Sequence, residues 1–298
     1  MEYRQLGQDG PQVSVIGLGA WPLGGGMGGV DEKTAIDTIR AAIDSGVTLV
    51  DTAQAYRSSE ATLGRALESG YRERCFLATK VSGDYSRDGI RSAMDNSLRA
   101  LKVEHVDLYQ IHSPDPRYAI SESMAAMSEL QAEGKTRYLG VSNYDANQMA
   151  EALETARFNA NQPRYNLFDR EIEVADIPFC KAHDIGILAH SPLAKGLLTG
   201  KYTPDYTFPE DDERSQMKRF QGDTFTRYLN KAKALEELAH DKSLSLTQMA
   251  IAWVLRLPAV TCVLVGAKNP KQVEEHLGAV GVRFADDELD RVDDILMA

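Results

Sequence analysis

Short apolar runs and segments of helical periodicity alternate along this chain eight times. The runs are Val15–Leu18, Thr48–Val50, Cys75–Thr79, Val106–Ile111, Arg137–Val141, Phe158–Asn161, Gly186–Ala189 and Thr261–Val265. Each reads as a strand, and in one of the segments between them Ile90, Met94, Leu98 and Leu101 share a helical face. Ser245 with Gln248, and Asn269-Pro270 with Gln272, have the spacing of an N-cap with its partner three residues on. Strands separated by helices pair in parallel, with the helices outside the sheet. Ahead of the first run, YRQLGQDGPQVS reads as a β-hairpin turning through Asp9-Gly10-Pro11. No compositional shift or Pro/Gly/Ser-rich linker interrupts the pattern, so residues 1–298 are expected to form a single domain.

A closed barrel and a doubly wound open sheet both satisfy this alternation, and the strand ends decide between them. The second run ends in Asp51, the third in Lys80, the fourth in His112, the fifth in Ser142-Asn143, the sixth in Gln162 and the seventh in His190-Ser191; Gly266-Ala267-Lys268-Asn269 follows the eighth. An open sheet gathers its ligand at one switch point, and polar residues need not recur at every strand end. A barrel brings all the carboxyl-terminal strand ends to one mouth, where barrel enzymes place their sites. The expected fold is therefore an α/β (β/α)8 TIM barrel with an N-terminal hairpin and an extended loop after the seventh strand.

One motif argues otherwise. Gly24, Gly26 and Gly29 spell G-x-G-x-x-G, and Asp51 follows at about the spacing of a ribose-binding acid. That fingerprint should begin at the strand end, yet Ala20-Trp21-Pro22-Leu23 intervenes and a proline breaks the tight turn. A stretch that is almost all glycine also meets the pattern by chance. A glycine-rich mouth loop is the better account.

Net charge narrows the partners. Lys and Arg total 33 against 44 Asp and Glu, a balance of −11 that disfavours nucleic acid and anionic lipid. Cys75, Cys180 and Cys262 lie far apart in apolar stretches, which fits buried reduced thiols better than a zinc motif or a disulfide framework. The polar start MEYRQLGQDG has no apolar leader and no run could span a bilayer, so a cytoplasmic protein is expected.

Asp51, Tyr56, Lys80 and His112 arise at three successive strand ends and should meet at the mouth. A phenol titrating near pH ~10 exchanges protons poorly at neutrality, and a neighbouring ammonium lowers that value. An aspartate keeps the lysine charged and placed, and a histidine can orient a substrate oxygen. Such a set suits protonating an alkoxide as it forms, or deprotonating an alcohol. It holds no base-activated nucleophile and no metal-ligand spacing. Each residue alone would be an ordinary salt bridge or cap; their joint placement on one rim carries the reading.

These residues also sit in a family pattern. Gly46 through Tyr56, continuing to Ser59-Glu60 and Leu63-Gly64, resembles the aldo-keto reductase signature D-T-A-x-x-Y-G-x-S-E-x-x-L-G. Leu77–Lys80, Asp107–His112, Gly140–Asn143, Ser191–Gly200 and Gly266–Glu275 resemble its later motifs in order, over almost the whole chain. The seventh-strand motif is closer in style to the family's bacterial, sugar- or potassium-channel-subunit-like branches than to its animal aldehyde reductases. The resemblance implies an oxidoreductase moving a hydride between NADP(H) and an aldehyde, ketone or sugar carbonyl or alcohol. Tyr56 would be the acid/base, Lys80 and Asp51 its tuners and His112 the carbonyl-orienting residue. Ser142, Asn143 and Gln162 would hold the nicotinamide carboxamide. Gly19, His190, Ser191, Leu193, Lys195 and Gly196 would line the nicotinamide and pyrophosphate. Gly266, Lys268, Gln272 and Glu275 would hold the adenosine end. Lys268, beside a helix N-terminus, matches a 2′-phosphate and so favours NADP over NAD, although a solvent-facing lysine is its plain alternative.

Two positions depart from the family pattern. Arg57 stands where glycine usually follows the tyrosine, and would narrow or charge the substrate rim. His190 stands where an aromatic, often tyrosine, usually stacks on the nicotinamide. Trp21 is either the pocket aromatic that contacts substrate or a core tryptophan. The polar stretch from Lys201 to about Phe225 reads as a lid over cofactor, substrate or both. The expected partners are a small carbonyl or sugar substrate, with a monomer or weak oligomer and no metal. Two alternatives keep the same motifs: a sugar (aldose) dehydrogenase working oxidatively, and a cofactor-sensing regulatory subunit.

Overall fold

The computed structural model describes residues 1–25, 27–210 and 212–297. A two-stranded antiparallel hairpin, β1 (Tyr3–Gln5) and β2 (Gln12–Ser14), precedes eight parallel strands. These are β3 (Ile16–Gly19), β4 (Leu49–Asp51), β5 (Phe76–Val81), β6 (Val106–Ile111), β7 (Thr136–Ser142), β8 (Ala160–Gln162), β9 (Gly186–His190) and β10 (Val260–Val265). They pair in sequence order, and β10 closes on β3 through Val263↔Ile16 and Val265↔Leu18. The closed ring excludes the doubly wound sheet. Each strand falls where an apolar run predicts it, within two residues.

The helices are α1 (Glu32–Asp44), α2 (Ser59–Ala66), α3 (Arg87–Leu101), α4 (Ile120–Ala132), α5 (Ala146–Thr155), α6 (Asp176–Ala182), α7 (Gly222–Asp241), α8 (Leu246–Leu255), α9 (Pro270–Leu277) and α10 (Asp286–Met297). Their apolar faces close the outer core: Ile39 of α1, Ile90 and Met94 of α3 and Met127 of α4 are fully buried among strand residues such as Leu77, Tyr109 and Val141. Ser245 caps α8 in a complete capping box with Gln248. Asn269 caps α9 by accepting from the Gln272 N–H at 3.1 Å, but the return bond goes one residue further out, from the Lys268 N–H to Gln272 Oε1 at 2.7 Å. Gln272 thus braces the loop that carries Lys268.

Inside the barrel, Leu49, Ala78, Leu108, Ala160, Leu188, Cys262 and Leu264 pack with Leu6 and Val13 of the hairpin. The hairpin turn is stapled to the amino-terminal end of the barrel, where Gln8 N–H donates to the Asp184 carbonyl at 2.7 Å and Asn159 Nδ2 to the Gln8 carbonyl at 2.9 Å. The far end of the barrel is therefore plugged. Cys75, Cys180 and Cys262 are buried free thiols, and burial pushes the first two up to about 12.

The glycine-rich segment after β3 forms a short 3-10 turn, Trp21–Gly24, rather than a strand-to-helix phosphate loop. A Cβ on Gly24 would collide with the Tyr56 carbonyl oxygen, so glycine is required where the two mouth loops touch. Gly26 of the G-x-G-x-x-G pattern lies outside the described residues.

Candidate active site

The strand ends converge on one cavity of about 620 Å³. Asp51 ends β4, Lys80 is next to last in β5, and His112 directly follows β6; Tyr56 comes from the loop between β4 and α2. Lys80 has no exposed surface and lies behind Asp51 and Tyr56, which line the cavity. Its Nζ donates to Asp51 Oδ1 at 2.5 Å, to the Thr52 carbonyl at 2.8 Å and to the Tyr56 hydroxyl at 3.4 Å. Burial alone would strip the proton from Lys80. The Asp51 carboxylate more than offsets this, with help from the phenol, and holds the lysine above its ordinary value.

Tyr56 does not follow the simple expectation. Burial lifts its phenol above the ordinary tyrosine value, and the opposing field of Lys80 only moderates the rise. The lysine acts in the expected direction, but removing water from a phenolate weighs more. Tyr56 therefore rests as a protonated donor. Trp21 meets it edge-on at 4.9 Å between ring centroids, and His112 does so from another side at 5.5 Å. His112 Nδ1 lies 2.7 Å from Ser82 Oγ, and burial, aided by the nearby Lys80 charge, pushes the ring down to about 3. It is a neutral imidazole across the useful pH range.

Hydrogen-bond logic settles the state of His190. Asn143 Nδ2 donates to the His112 carbonyl at 3.2 Å and to Ser142 Oγ at 3.1 Å, so Asn143 Oδ1 is the atom 2.9 Å from His190 Nε2. An amide oxygen only accepts, so Nε2 carries the proton and Nδ1 accepts from Ser191 Oγ at 3.0 Å. Burial lowers this ring to about 3 as well. Where the family usually has an aromatic, this chain holds a neutral imidazole tethered at both nitrogens.

Ser142, Asn143, Gln162, Gly19 and Trp21 line the same cavity, as do Ser191, Leu193, Lys195 and Gly196. Ser191, Ala194 and Lys195 have positive φ (57°, 47° and 56°), a conformation that non-glycine residues keep only where the surroundings over-determine it, and Gly196 continues it at 101° without that cost. Here the long loop after β9 supplies the restraint. Arg214, 5% exposed, donates to the Lys195 carbonyl at 3.0 Å, the Tyr202 hydroxyl at 2.6 Å and the Asp212 carboxylate at 2.5 Å. Glu213 Oε1 accepts from Lys195 Nζ at 2.6 Å and from Trp21 Nε1 at 3.2 Å, which ties the loop across the mouth. Tyr202, Phe208 and Phe220 of this loop are buried, giving the stretch an aromatic core that its polar composition hides; Asp211 lies outside the described residues.

At the far end Gly266, Lys268, Gln272 and Glu275 line the cavity, with the Glu275 carboxylate accepting from Ser245 Oγ at 2.9 Å. Lys268 Nζ donates to the Met27 carbonyl. Arg57 is not brought into the cavity. It is exposed, has φ 50°, and donates to the Gly25 carbonyl at 2.9 Å. The left-handed backbone explains why glycine suits this position; the arginine side chain braces the glycine-rich loop from outside.

Gln110 and Ser82 join the site without having been read from the sequence, and Lys201, Glu213 and Arg214 were covered only by the reading of their stretch as a lid. Two of them carried a signal of their own. Gln110 precedes His112 by two residues and Ser82 follows Lys80 by two, so strand alternation alone puts them on the inward face. For the three loop residues the length and polarity of their stretch pointed to a lid, but nothing singled out the individual side chains.

His112, His190 and the buried His276, which is lowered to about 4, all favour the neutral form in the folded state. A depressed histidine contributes stability that is present above its unfolded value of 6.5 and is lost as pH falls toward its folded value. Chemical denaturation between pH 7 and 5 should show stability falling by about 1 kcal/mol per pH unit for the more deeply buried His276, and less for His112 and His190, which are more exposed. Replacing His276 with glutamine should flatten part of that slope.

Among the described residues no helix is long and apolar enough to cross a membrane. The model of the Aldo/keto reductase family matches residues 15–297. Aldo-keto reductase YhdN of Bacillus subtilis is 42% identical, with 92% of this chain and 87% of that protein covered. The NADH-specific methylglyoxal reductase of Escherichia coli is 31% identical over 94% of each. Among solved structures, the glycerol dehydrogenase of Gluconobacter oxydans superposes with a TM-score of 0.89 at 38% identity, covering 99% of this chain and 94% of that one.

Proposed function

This chain belongs to the aldo/keto reductase family, and from that premise we propose that it is an NADP(H)-dependent oxidoreductase acting on small polar carbonyls and the matching alcohols. The observation that carries the reading is the buried Asp51–Lys80–Tyr56 relay opening beside His112 into a cavity long enough to reach Lys268. Relatives named for methylglyoxal and for glyceraldehyde 3-phosphate, and a neighbour named for glycerol, support short oxygenated substrates. The same reading treats residues 1–298 as one domain of a cytoplasmic protein that is monomeric or weakly oligomeric.

The residues fit a nicotinamide dinucleotide. Lys201 and Lys268 are half-buried cations on the cavity wall, each lowered by burial and by the nearby Arg214 guanidinium, with Asp212 as the opposing carboxylate. Crowded ammonium groups of this kind call for an anion, and the 2′-phosphate of NADP supplies one. Ser142, Asn143 and Gln162 offer polar atoms at the other end, beside His190. A bound nicotinamide would supply the hydride, or accept it in oxidation.

The protein's part is proton transfer and orientation. His112, neutral, hydrogen-bonds the substrate oxygen and aims it at the Tyr56 hydroxyl. As negative charge builds on that oxygen, Tyr56 donates its proton, and Lys80 stabilises the phenolate left behind. Asp51 keeps Lys80 charged throughout. In oxidation the proton runs the other way, from alcohol to phenolate.

Fluorescence titration with NADPH and NADH, followed by turnover assays on short aldehydes and polyols, tests the reading. Failure of NADPH to bind, or absence of turnover in both directions, would overturn it. Lys268→Ala should weaken NADPH by about ten- to a hundredfold, the scale of a charge-assisted hydrogen bond, while changing NADH less than about threefold. Equal loss for both would remove the argument for the 2′-phosphate.

A further inference from the structure

Beneath the cavity floor lies a residue that the chemistry above does not use. Gln110 of β6 is fully buried, does not line the cavity, and sits between Asp51 and Gln162. Asp51, ion-paired with Lys80, is a carboxylate and can only accept. Both amide nitrogens near it must therefore face it: Gln162 Nε2 at 2.9 Å and Gln110 Nε2 at 3.1 Å from Asp51 Oδ2. This orientation turns Gln110 Oε1 toward Gln162 Nε2, at 3.2 Å. Both protons of the Gln162 amide are then engaged, one on Asp51 and one on Gln110. The remaining polar atom, Gln162 Oε1, accepts no hydrogen bond from any described residue, and Gln162 is a wall of the cavity.

We infer that Gln110 is a positioning residue that takes the second amide proton of Gln162 and, together with Asp51, holds Gln162 in the one pose that presents its carbonyl oxygen, an acceptor, to the nicotinamide carboxamide. The inference rests on the cofactor reading above. Without Gln110 the second proton of Gln162 would be unsatisfied in a buried floor, and the amide, held by Asp51 through one proton only, would be free to pivot about that single bond. Pivoting would carry Gln162 Oε1 away from the place where the NH2 of the carboxamide needs an acceptor. Gly140 on β7 makes the arrangement possible, since a Cβ there would stand 2.9 Å from Gln110 Cγ. That accounts for the glycine in the Gly140–Asn143 motif. The triangle also ties the cofactor-facing amide to the carboxylate that holds Lys80, so the proton relay and the nicotinamide subsite share one hub.

The test compares two ligands by calorimetry. NADPH carries the carboxamide; 2′,5′-ADP keeps the adenosine and 2′-phosphate but lacks it. In Gln110→Met, the Kd for NADPH should rise about tenfold while that for 2′,5′-ADP stays within about twofold of wild type. Gln162→Met should show the same split, and the double variant should lose no more than Gln162→Met alone, because the two act as one unit. Should Gln110→Met fail to fold, Gly140→Ala, which displaces Gln110 without removing its amide, should give the same split in smaller measure. Unchanged NADPH binding in these variants overturns the inference. So does equal weakening of both ligands, which marks a brace without a role in orientation. If wild type binds neither ligand, the cofactor reading itself fails and takes this inference with it.

Discussion

Replacing Tyr56 with phenylalanine should lower kcat by about a thousandfold in both directions, the range associated with losing a general acid. The change removes one oxygen and little volume, and it leaves the Trp21 and His112 ring contacts in place. NADPH affinity should stay within about threefold of wild type, because the phenol is not among the groups proposed to hold the dinucleotide. The measurement is single-turnover reduction of a short aldehyde alongside a fluorescence titration. Retained turnover in this variant would remove Tyr56 from the mechanism. A matched fall in affinity would instead mean that the ring shapes the cofactor site.

Lys80→Met should have the largest effect on stability. Lys80 and Asp51 form an ion pair with 0% and 3% side-chain exposure, so the substitution leaves a carboxylate buried without its counter-charge. Breaking such a pair from one side costs about 3–5 kcal/mol. Gln110 and Gln162 still donate to Asp51, which places the expected loss at the lower end. The sign with pH is specific. An unpaired buried aspartate has a folded pKa above its unfolded value, so the folded state binds the extra proton. The variant's deficit relative to wild type should therefore be largest near pH 8 and shrink as pH falls. Lys80→Met with Asp51→Asn should recover much of the loss. A deficit that does not vary with pH would show that packing of the lysine stem, and not the charge, is what matters.

Much of this architecture was legible because strand and helix alternate with polar strand ends. Asp51, Lys80, His112, Gln162 and His190 each sit at or next to a strand terminus, and closure of the ring brings such positions together wherever they fall in the sequence. What escaped the reading was set by features that leave no periodic trace. The left-handed backbone at Arg57 turns its side chain out of the cavity, although its place beside Tyr56 suggested a substrate contact. The loop after β9 packs on irregularly spaced aromatics and a buried Arg214, while its composition looks solvated. The upward shift of Tyr56 comes from enclosure on several sides, which a list of neighbouring charges does not contain. Gln110 was in plain view by alternation, but as a residue type it announces no chemistry.

The hairpin staple at the amino-terminal end has a kinetic meaning. With Leu6 and Val13 filling the barrel from below, the cavity is closed at its base, and among the described residues the Glu213 bridge to Trp21 and Lys195 partly bars its mouth. Traffic through such a well is a queue. On the proposed reading, a dinucleotide reaching down to Gln162 should arrive before a carbonyl that rests above it beside Trp21, and should leave after it. Any such order would be set by the wall at the back of the barrel, by residues that touch neither visitor.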